Sequence, residues 1–407
     1  MTSRRDFLKT AAGTSIVSFG VTAPGFLSRA ALAEQTQSGD AKGKVLVVIQ
    51  LSGGNDGLNT VVPYKNDKYR SMRPTLAVAE NDVLKIDDDL GFNPALDGVA
   101  ELLESGRLSI IQNVGYANPN RSHFESMDIW HSCHRKDKIR STGWIGRWLD
   151  QRSADGLPAG GVHIGQEEKP LALTADRVPV TSIASIDRFR LQLTGRGTVE
   201  DAKIDKLLDS KRDNRSNLLD FVQKNTKTAV ATSDRIGEAV KAESTGVTYP
   251  DNRLGEKLEL VAKMIRSNFP SSVYYVTLNG FDTHAQQSGA HTSLIREWSS
   301  SLKAFMDDVA ASGNAERVLA MTFSEFGRRV KENASEGTDH GAAAPVFLAG
   351  PVKAGLHGTL PDLDDLSDGD IRFKIDFRRV YSTALSWGGW NASDVLGKEF
   401  EKLPVIS

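Results

Sequence analysis

The sequence predicts an α/β fold, a three-layer sandwich in which helices cover both faces of a mostly parallel central sheet. Two observations carry this. Several short runs are continuously apolar and rich in β-branched residues, without the polar alternation of a half-solvated strand, so they suit strands buried on both faces. Between them lie segments of helical period, the usual connection between parallel strands. The first such run is 44–51, Lys-Val-Leu-Val-Val-Ile-Gln-Leu, ending in Ser52-Gly53-Gly54. A helix over 95–105 leads into a second strand, 108–114. Asn118-Pro119-Asn120-Arg121-Ser122 then opens a helix running to about Ser132. An amphipathic helix over 253–268 precedes a strand at 272–278, and a helix from about His291 to Ser312 precedes a strand at 317–323. Pro345-Val346-Phe347-Leu348-Ala349 makes a fifth strand. The stretch 187–244 differs. It is dense in charge, with Ile204, Leu207, Leu208, Leu218, Leu219, Phe221 and Val222 at helical spacing, and reads as a helical insertion at the sheet edge or over the site. Residues 44–407 are expected to form one domain around this sheet.

The first residues read as a leader rather than as fold. Ser3-Arg4-Arg5-Asp6-Phe7-Leu8-Lys9 is a twin-arginine export motif, followed by a mildly apolar stretch and the small-residue cleavage site Ala31-Leu32-Ala33. A signal peptide over 1–33 and a polar linker over 34–43 are expected, with the export machinery as partner and a periplasmic or secreted destination. The formal net charge is −2, and loss of the arginine-bearing leader makes the chain more acidic. That gives no electrostatic footprint for nucleic acid. After the leader, no apolar run approaches the roughly 18 residues of a membrane-spanning helix. Cys133 is the sole cysteine, which excludes an intrachain disulfide.

The residues that could carry chemistry form islands near strand ends: Gly54-Asn55-Asp56-Gly57, Asp282-Thr283-His284, Asp339-His340-Gly341 and Gly355-Leu356-His357-Gly358. Ligands of open α/β sheets bind beyond the carboxyl ends of strands. Carboxylates and imidazoles gathered there can hold one or two divalent ions, zinc for an imidazole-rich set and manganese or calcium for an oxygen-rich one. Each island also has a structural reading. Asp56 suits either a ligand or an Asx turn bonding its own backbone, and Asp282 either a ligand or a helix cap. His357 stands in a glycine-flanked turn. Glu325 is placed to ligate or act as general base, and Arg328 to clamp an oxyanion, against the alternative of an ion pair. Ser122 with Glu125 spells a capping box, yet a serine beside Arg121 at a helix start also suits a nucleophile for an anionic substrate. His123 and His291, each at the edge of a predicted helix, stay unassigned.

Several motifs together resemble the domain-of-unknown-function 1501 family over nearly the whole chain after the leader. They are Leu-Ser-Gly-Gly-Asn-Asp-Gly-Leu-Asn at 51–59, Asn-Arg-Ser-His-Phe at 120–124, Ser-Thr-Gly-Trp-Ile-Gly-Arg at 141–147, Gly-Phe-Asp-Thr-His at 280–284, Ser-Glu-Phe-Gly-Arg at 324–328 and Asp-His-Gly at 339–341. That family is similar in fold to the alkaline phosphatase and sulfatase superfamily. The resemblance therefore implies an alkaline-phosphatase-like sheet with up to two metal sites. It makes Asp56 the first ligand, Ser122 the nucleophile, Asp282 a further ligand, Asp339 and His340 the Asp-His pair, and His357 the last histidine. The chain departs from the superfamily plan twice. Four residues after Asp282 stands Gln286 where a histidine is expected, with His284 two residues along instead. Directly after the fourth strand come Ser324 and Glu325, while Asp339-His340 follows only after a loop. The sulfatase signature Cys-x-Pro-x-Arg is absent. The implied activity is exported, metal-dependent hydrolysis of phosphate or sulfate esters, aided by Arg328 or Arg121. The alternative is a non-catalytic periplasmic protein that keeps the fold and binds an anionic ligand or glycan, or joins a complex.

Overall fold

The computed structural model describes residues 43–157, 159–184 and 235–407. The leader, nearly all of the linker and most of the charged insertion lie outside them; of the insertion, residues 235–240 are helical.

The sheet strands are β1 (Val45–Ser52), β2 (Leu108–Gly115), β3 (Gly161–Ile164), β4 (Val180–Ile183), β5 (Val273–Asn279) and β6 (Val318–Phe323). After β6 a separate hairpin, β7 (Arg328–Glu332) with β8 (Thr338–His340), interrupts the sheet. It resumes with β9 (Ala344–Ala349), β10 (Gly355–His357) and β11 (Ile375–Asp376). The nine strands lie in the order β10-β2-β9-β6-β1-β5-β3-β4, with β11 also paired to β2. All pairings are parallel except those of β9, which runs against both β2 and β6.

The unalternating strands are explained by the two cores. Along β1, Val45, Val47, Ile49 and Leu51 face one side, and Leu46 and Val48 the other. On the first side lie α1 (Asp97–Glu104), α4 (Arg253–Arg266) and α5 (Gln287–Ala311), which contribute Val99, Leu258, Val261, Trp298 and Phe305. On the second lie α2 (His123–Ser132), α3 (Trp144–Ala154) and α6 (Phe377–Trp387), with Trp130, Trp144, Trp148 and Tyr381. Each such side chain, fully buried, contributes roughly 1.5–3 kcal/mol. This is the three-layer α/β fold that the apolar runs predict. Among the described residues, no helix is long and apolar enough to cross a membrane.

Four strands, β3, β4, β10 and β11, were not legible in the sequence. None exceeds four residues, and their pairing partners rather than their own pattern hold them in the sheet. His357 accordingly ends strand β10 instead of occupying a turn. The antiparallel course of β9 has a topological cause. The hairpin after β6 keeps the chain at the carboxyl edge of the sheet, so the next strand must run back from it.

Candidate metal centre

Four connections meet at that edge: those after β1, β2, β5 and β6. Their approach is close. Gly53 has φ +121°, and a Cβ there would stand 2.4 Å from the amide nitrogen of Asp282, so the β1 loop packs directly on the β5 loop. A glycine is required for both reasons. The start of the β6 loop locks onto β1. Ser324 Oγ donates to the Leu51 carbonyl at 2.6 Å and accepts from the Asn55 amide at 2.8 Å. The fully buried Glu325 accepts the Gly53 amide on Oε1 at 2.8 Å.

Within this frame three imidazoles surround one carboxylate oxygen. Asp282 Oδ1 lies 2.9 Å from His340 Nε2, 3.0 Å from His284 Nε2 and 3.4 Å from His123 Nε2. Ligand atoms of His123, Asp282 and His340 all fall within 4.8 Å of one another. Each ring's other nitrogen has an acceptor. His340 Nδ1 donates to the Arg121 carbonyl at 2.7 Å, His123 Nδ1 to Glu325 Oε1 at 3.0 Å, and His284 Nδ1 sits 3.3 Å from Asp339 Oδ1. A carbonyl or carboxylate can only accept, so these contacts put a proton on Nδ1, while the Nε2 atoms face the Asp282 carboxylate, also only an acceptor, and need a proton or a cation there.

That arrangement is a test of whether a cation fits. His284 Nε2 and His340 Nε2 are 2.9 Å apart. Two lone pairs facing each other beside a carboxylate oxygen require a positive charge between them, either a proton or a metal ion. His123 Nε2 is buried with no hydrogen-bond partner, as is Glu325 Oε2. Histidines whose outer nitrogen is held by an acceptor are how proteins orient metal-binding imidazoles. The residues present therefore fit a divalent ion on His123, Asp282, His284 and His340. The electrostatics agree. Partial burial raises the Asp282 pKa, but the His340 hydrogen bond and the Arg328 guanidinium outweigh it and hold the carboxyl well below its ordinary range. The Glu325 hydrogen bond, opposed by burial, raises the His123 pKa.

The remaining candidates are placed as follows. Asp339 stands at the exposed rim, 3.3 Å from both His284 and Asn333. Asp56 is buried and bonds to none of the ring residues. Its Oδ2 accepts from Arg73 at 2.6 Å and from Gln287 at 2.5 Å, while Oδ1 caps the helical turn Gly57–Thr60 through the Asn59 amide. Burial pushes its pKa up and Arg73 more than reverses this. His357 is not brought to the ring either. It lies against the Lys353 carbonyl at 2.8 Å and Ser109 Oγ at 3.3 Å, toward the amino end of β2. Ser122 is the N-cap residue of α2, immediately before His123, but its exposed hydroxyl makes no capping bond. Glu125 pairs instead with Arg140 at 3.0 Å, so the expected capping box is not formed.

Arg328 is buried, and most of its donors are taken. They reach the carbonyls of Gly54 and Thr338 at 2.8 Å, Phe281 at 2.7 Å and Gly53, besides Asp282 Oδ1 at 2.8 Å. This pins the β1, β5 and β8 ends together and commits the buried guanidinium chiefly to internal acceptors. Arg121 is similarly held by Asp368 and Asp370, each at 2.8 Å. His123, unassigned from the sequence, is a member of the ring, whereas Arg73 and Gln287 enclose Asp56.

Comparison with solved structures finds likenesses of low identity. A protein in the alkaline phosphatase superfamily from Vibrio parahaemolyticus is 9% identical, with 98% of this chain and 78% of that one covered and a TM-score of 0.39. The PsFucS1 sulfatase from Pseudoalteromonas sp. is 11% identical, with 99% and 75% covered and a TM-score of 0.39. A TAB5 alkaline phosphatase variant with Mg bound in its M3 site is 11% identical, with 86% and 100% covered and a TM-score of 0.39. No curated protein matches the sequence. The sequence model of the family described as "Protein of unknown function (DUF1501)" matches residues 43–396, and the chain belongs to that family.

Proposed function

We propose that this chain is an exported, divalent-metal-dependent hydrolase of phosphate or sulfate esters, delivered across the membrane by the twin-arginine route. The single observation that carries the reading is the ring of three inward-facing Nε2 atoms on Asp282 Oδ1, each imidazole oriented by an acceptor on its other nitrogen. Three imidazoles and one carboxylate favour zinc over calcium. A bound ion would supply Lewis-acid stabilisation of developing negative charge.

The chain's own residues supply the rest. The Ser122 hydroxyl, exposed and free of a capping bond, stands one residue before His123 and is the candidate nucleophile. The first amides of α2 offer N–H groups to an anionic ester. Glu325 keeps the His123 ring in one tautomer, and Arg328 holds the Asp282 carboxylate in place. Asp339, at the rim, does the same for His284.

A second reading is favoured by the engagement of Asp56 with Arg73 and of both site arginines with internal acceptors. On that reading the pocket binds an anionic ester or glycan without turning it over. Metal analysis of protein exported by its own route, with turnover of nitrophenyl phosphate and sulfate by wild type, Ser122→Ala and Asp282→Ala, separates the two. Bound metal with turnover lost in both variants supports the hydrolase. Bound metal without turnover under any cation favours the binding protein, and no metal at all removes both the centre and the enzyme.

A further inference from the structure

The two most exposed large apolar side chains among the described residues are Phe124 at 82%, on α2, and Ile139 at 88%, on the loop that follows it. Each immediately precedes one member of an ion pair, Glu125 and Arg140, whose charged atoms are 3.0 Å apart. That pair ties the Ile139 loop to the first turn of α2, where Phe124 stands next to His123. The loop that carries Ile139 is fastened at both ends. Arg135 donates to the Asn118 carbonyl at 3.1 Å and to the Ala117 carbonyl, and Arg140 also reaches Asp128 at 3.5 Å. Between these anchors Lys136, Asp137, Lys138 and Ile139 are all exposed, and neither lysine has an ion pair among the described residues.

Large apolar side chains held out from a pinned loop and a helix start are available to an occupant. The flanking charge says which kind. In residues 135–140, Arg140 is taken up by Glu125 and Asp128, which leaves Arg135, Lys136 and Lys138 against Asp137, in a chain of net charge −2. Apolar tips that enter the headgroup boundary, bracketed by free lysines, match an anionic lipid surface. We infer that Phe124 and Ile139, with Lys136 and Lys138, form a docking face for anionic lipid headgroups, so that the metal ring opens toward the membrane surface. The inference does not depend on turnover, because it is read by binding alone.

The test is co-sedimentation of the full chain with vesicles of phosphatidylcholine alone and of phosphatidylcholine doped with phosphatidylglycerol. Wild type is expected to partition about tenfold more strongly onto the anionic vesicles, with the preference fading as salt rises. Phe124→Ser/Ile139→Ser and, separately, Lys136→Glu/Lys138→Glu should each lower that partitioning about tenfold. Their melting temperatures should stay at the wild-type value, since all four side chains are exposed. Because every variant keeps the leader, a contribution from residues 1–33 cancels in the comparison. Equal partitioning of wild type and both variants overturns the proposal. So does a concentration-dependent dimer that the serine pair dissolves, since the occupant would then be a second copy of the chain.

Discussion

Asp56 and Asp282 are both carboxylates just past the end of a buried strand, and their neighbours give them different work. Asp56 is enclosed by Arg73, Gln287 and the amide of Asn59, whereas Asp282 faces three imidazoles. Asp56→Ala is expected to leave the Arg73 guanidinium buried without its counter-charge, at a cost of about 3–5 kcal/mol in denaturant unfolding. Asp56→Leu/Arg73→Met should restore most of that loss, and cation affinity of the folded variant should stay at the wild-type value. Glu325→Gln makes the converse expectation. It keeps the shape around Gly53 and His123 but removes the charge that orients the ring. Cation affinity should fall about 10- to 100-fold in calorimetric titration, with a smaller effect on stability. From the sequence, Asp282, His284, Asp339 and His340 were legible because carboxylate and imidazole stand side by side after a strand. His123 was not, since a histidine opening a helix looks the same whether it faces solvent or a metal. The roles of Asp56 and Arg328 turn on Arg73 and on four carbonyls from distant segments, which spacing along the chain does not encode.

At the scale of elements, the hairpin β7–β8 delivers Asp339 and His340 to a site that β6 alone would reach only with Glu325. This answers the oddity that Asp-His follows its strand only after a loop. The hairpin seats on the β5 loop through Gly337, where a Cβ would stand 2.2 Å from the carbonyl carbon of His284. Gly337→Ala is therefore expected to push the hairpin off that loop and weaken cation binding about tenfold, while circular dichroism remains that of wild type. A variant that binds as tightly as wild type would show that the seat does not set the ring. The long strands and the helices α1, α2, α4 and α5 were legible because each buries an apolar face, while α3 and α6 were not read from the sequence. The two-to-four-residue strands were not, because their position is set by neighbours and by the loops that deliver them.

At the scale of the whole molecule, the buried histidines set how the fold responds to acid. Burial pushes the imidazoles of His131 and His291 down to about 4, against about 6.5 in an unfolded chain. Above pH 6.5 both states are neutral and neither histidine costs anything. As pH falls below 6.5 the unfolded chain takes up protons that the fold refuses, so stability drops down to about pH 4, on the order of 3 kcal/mol for each group. Unfolding midpoints measured across that interval should fall steeply, and His131→Gln should flatten the slope.

Calorimetric titration of metal-stripped protein with zinc tests most directly whether His123, Asp282, His284 and His340 form a cation site. The expected result is saturable binding that His340→Ala and Asp282→Ala each weaken by at least about tenfold and that Asp56→Ala/Arg73→Met leaves unchanged. Zinc binding that is absent, or that survives both ring variants while failing when Asp56 is replaced, would contradict it.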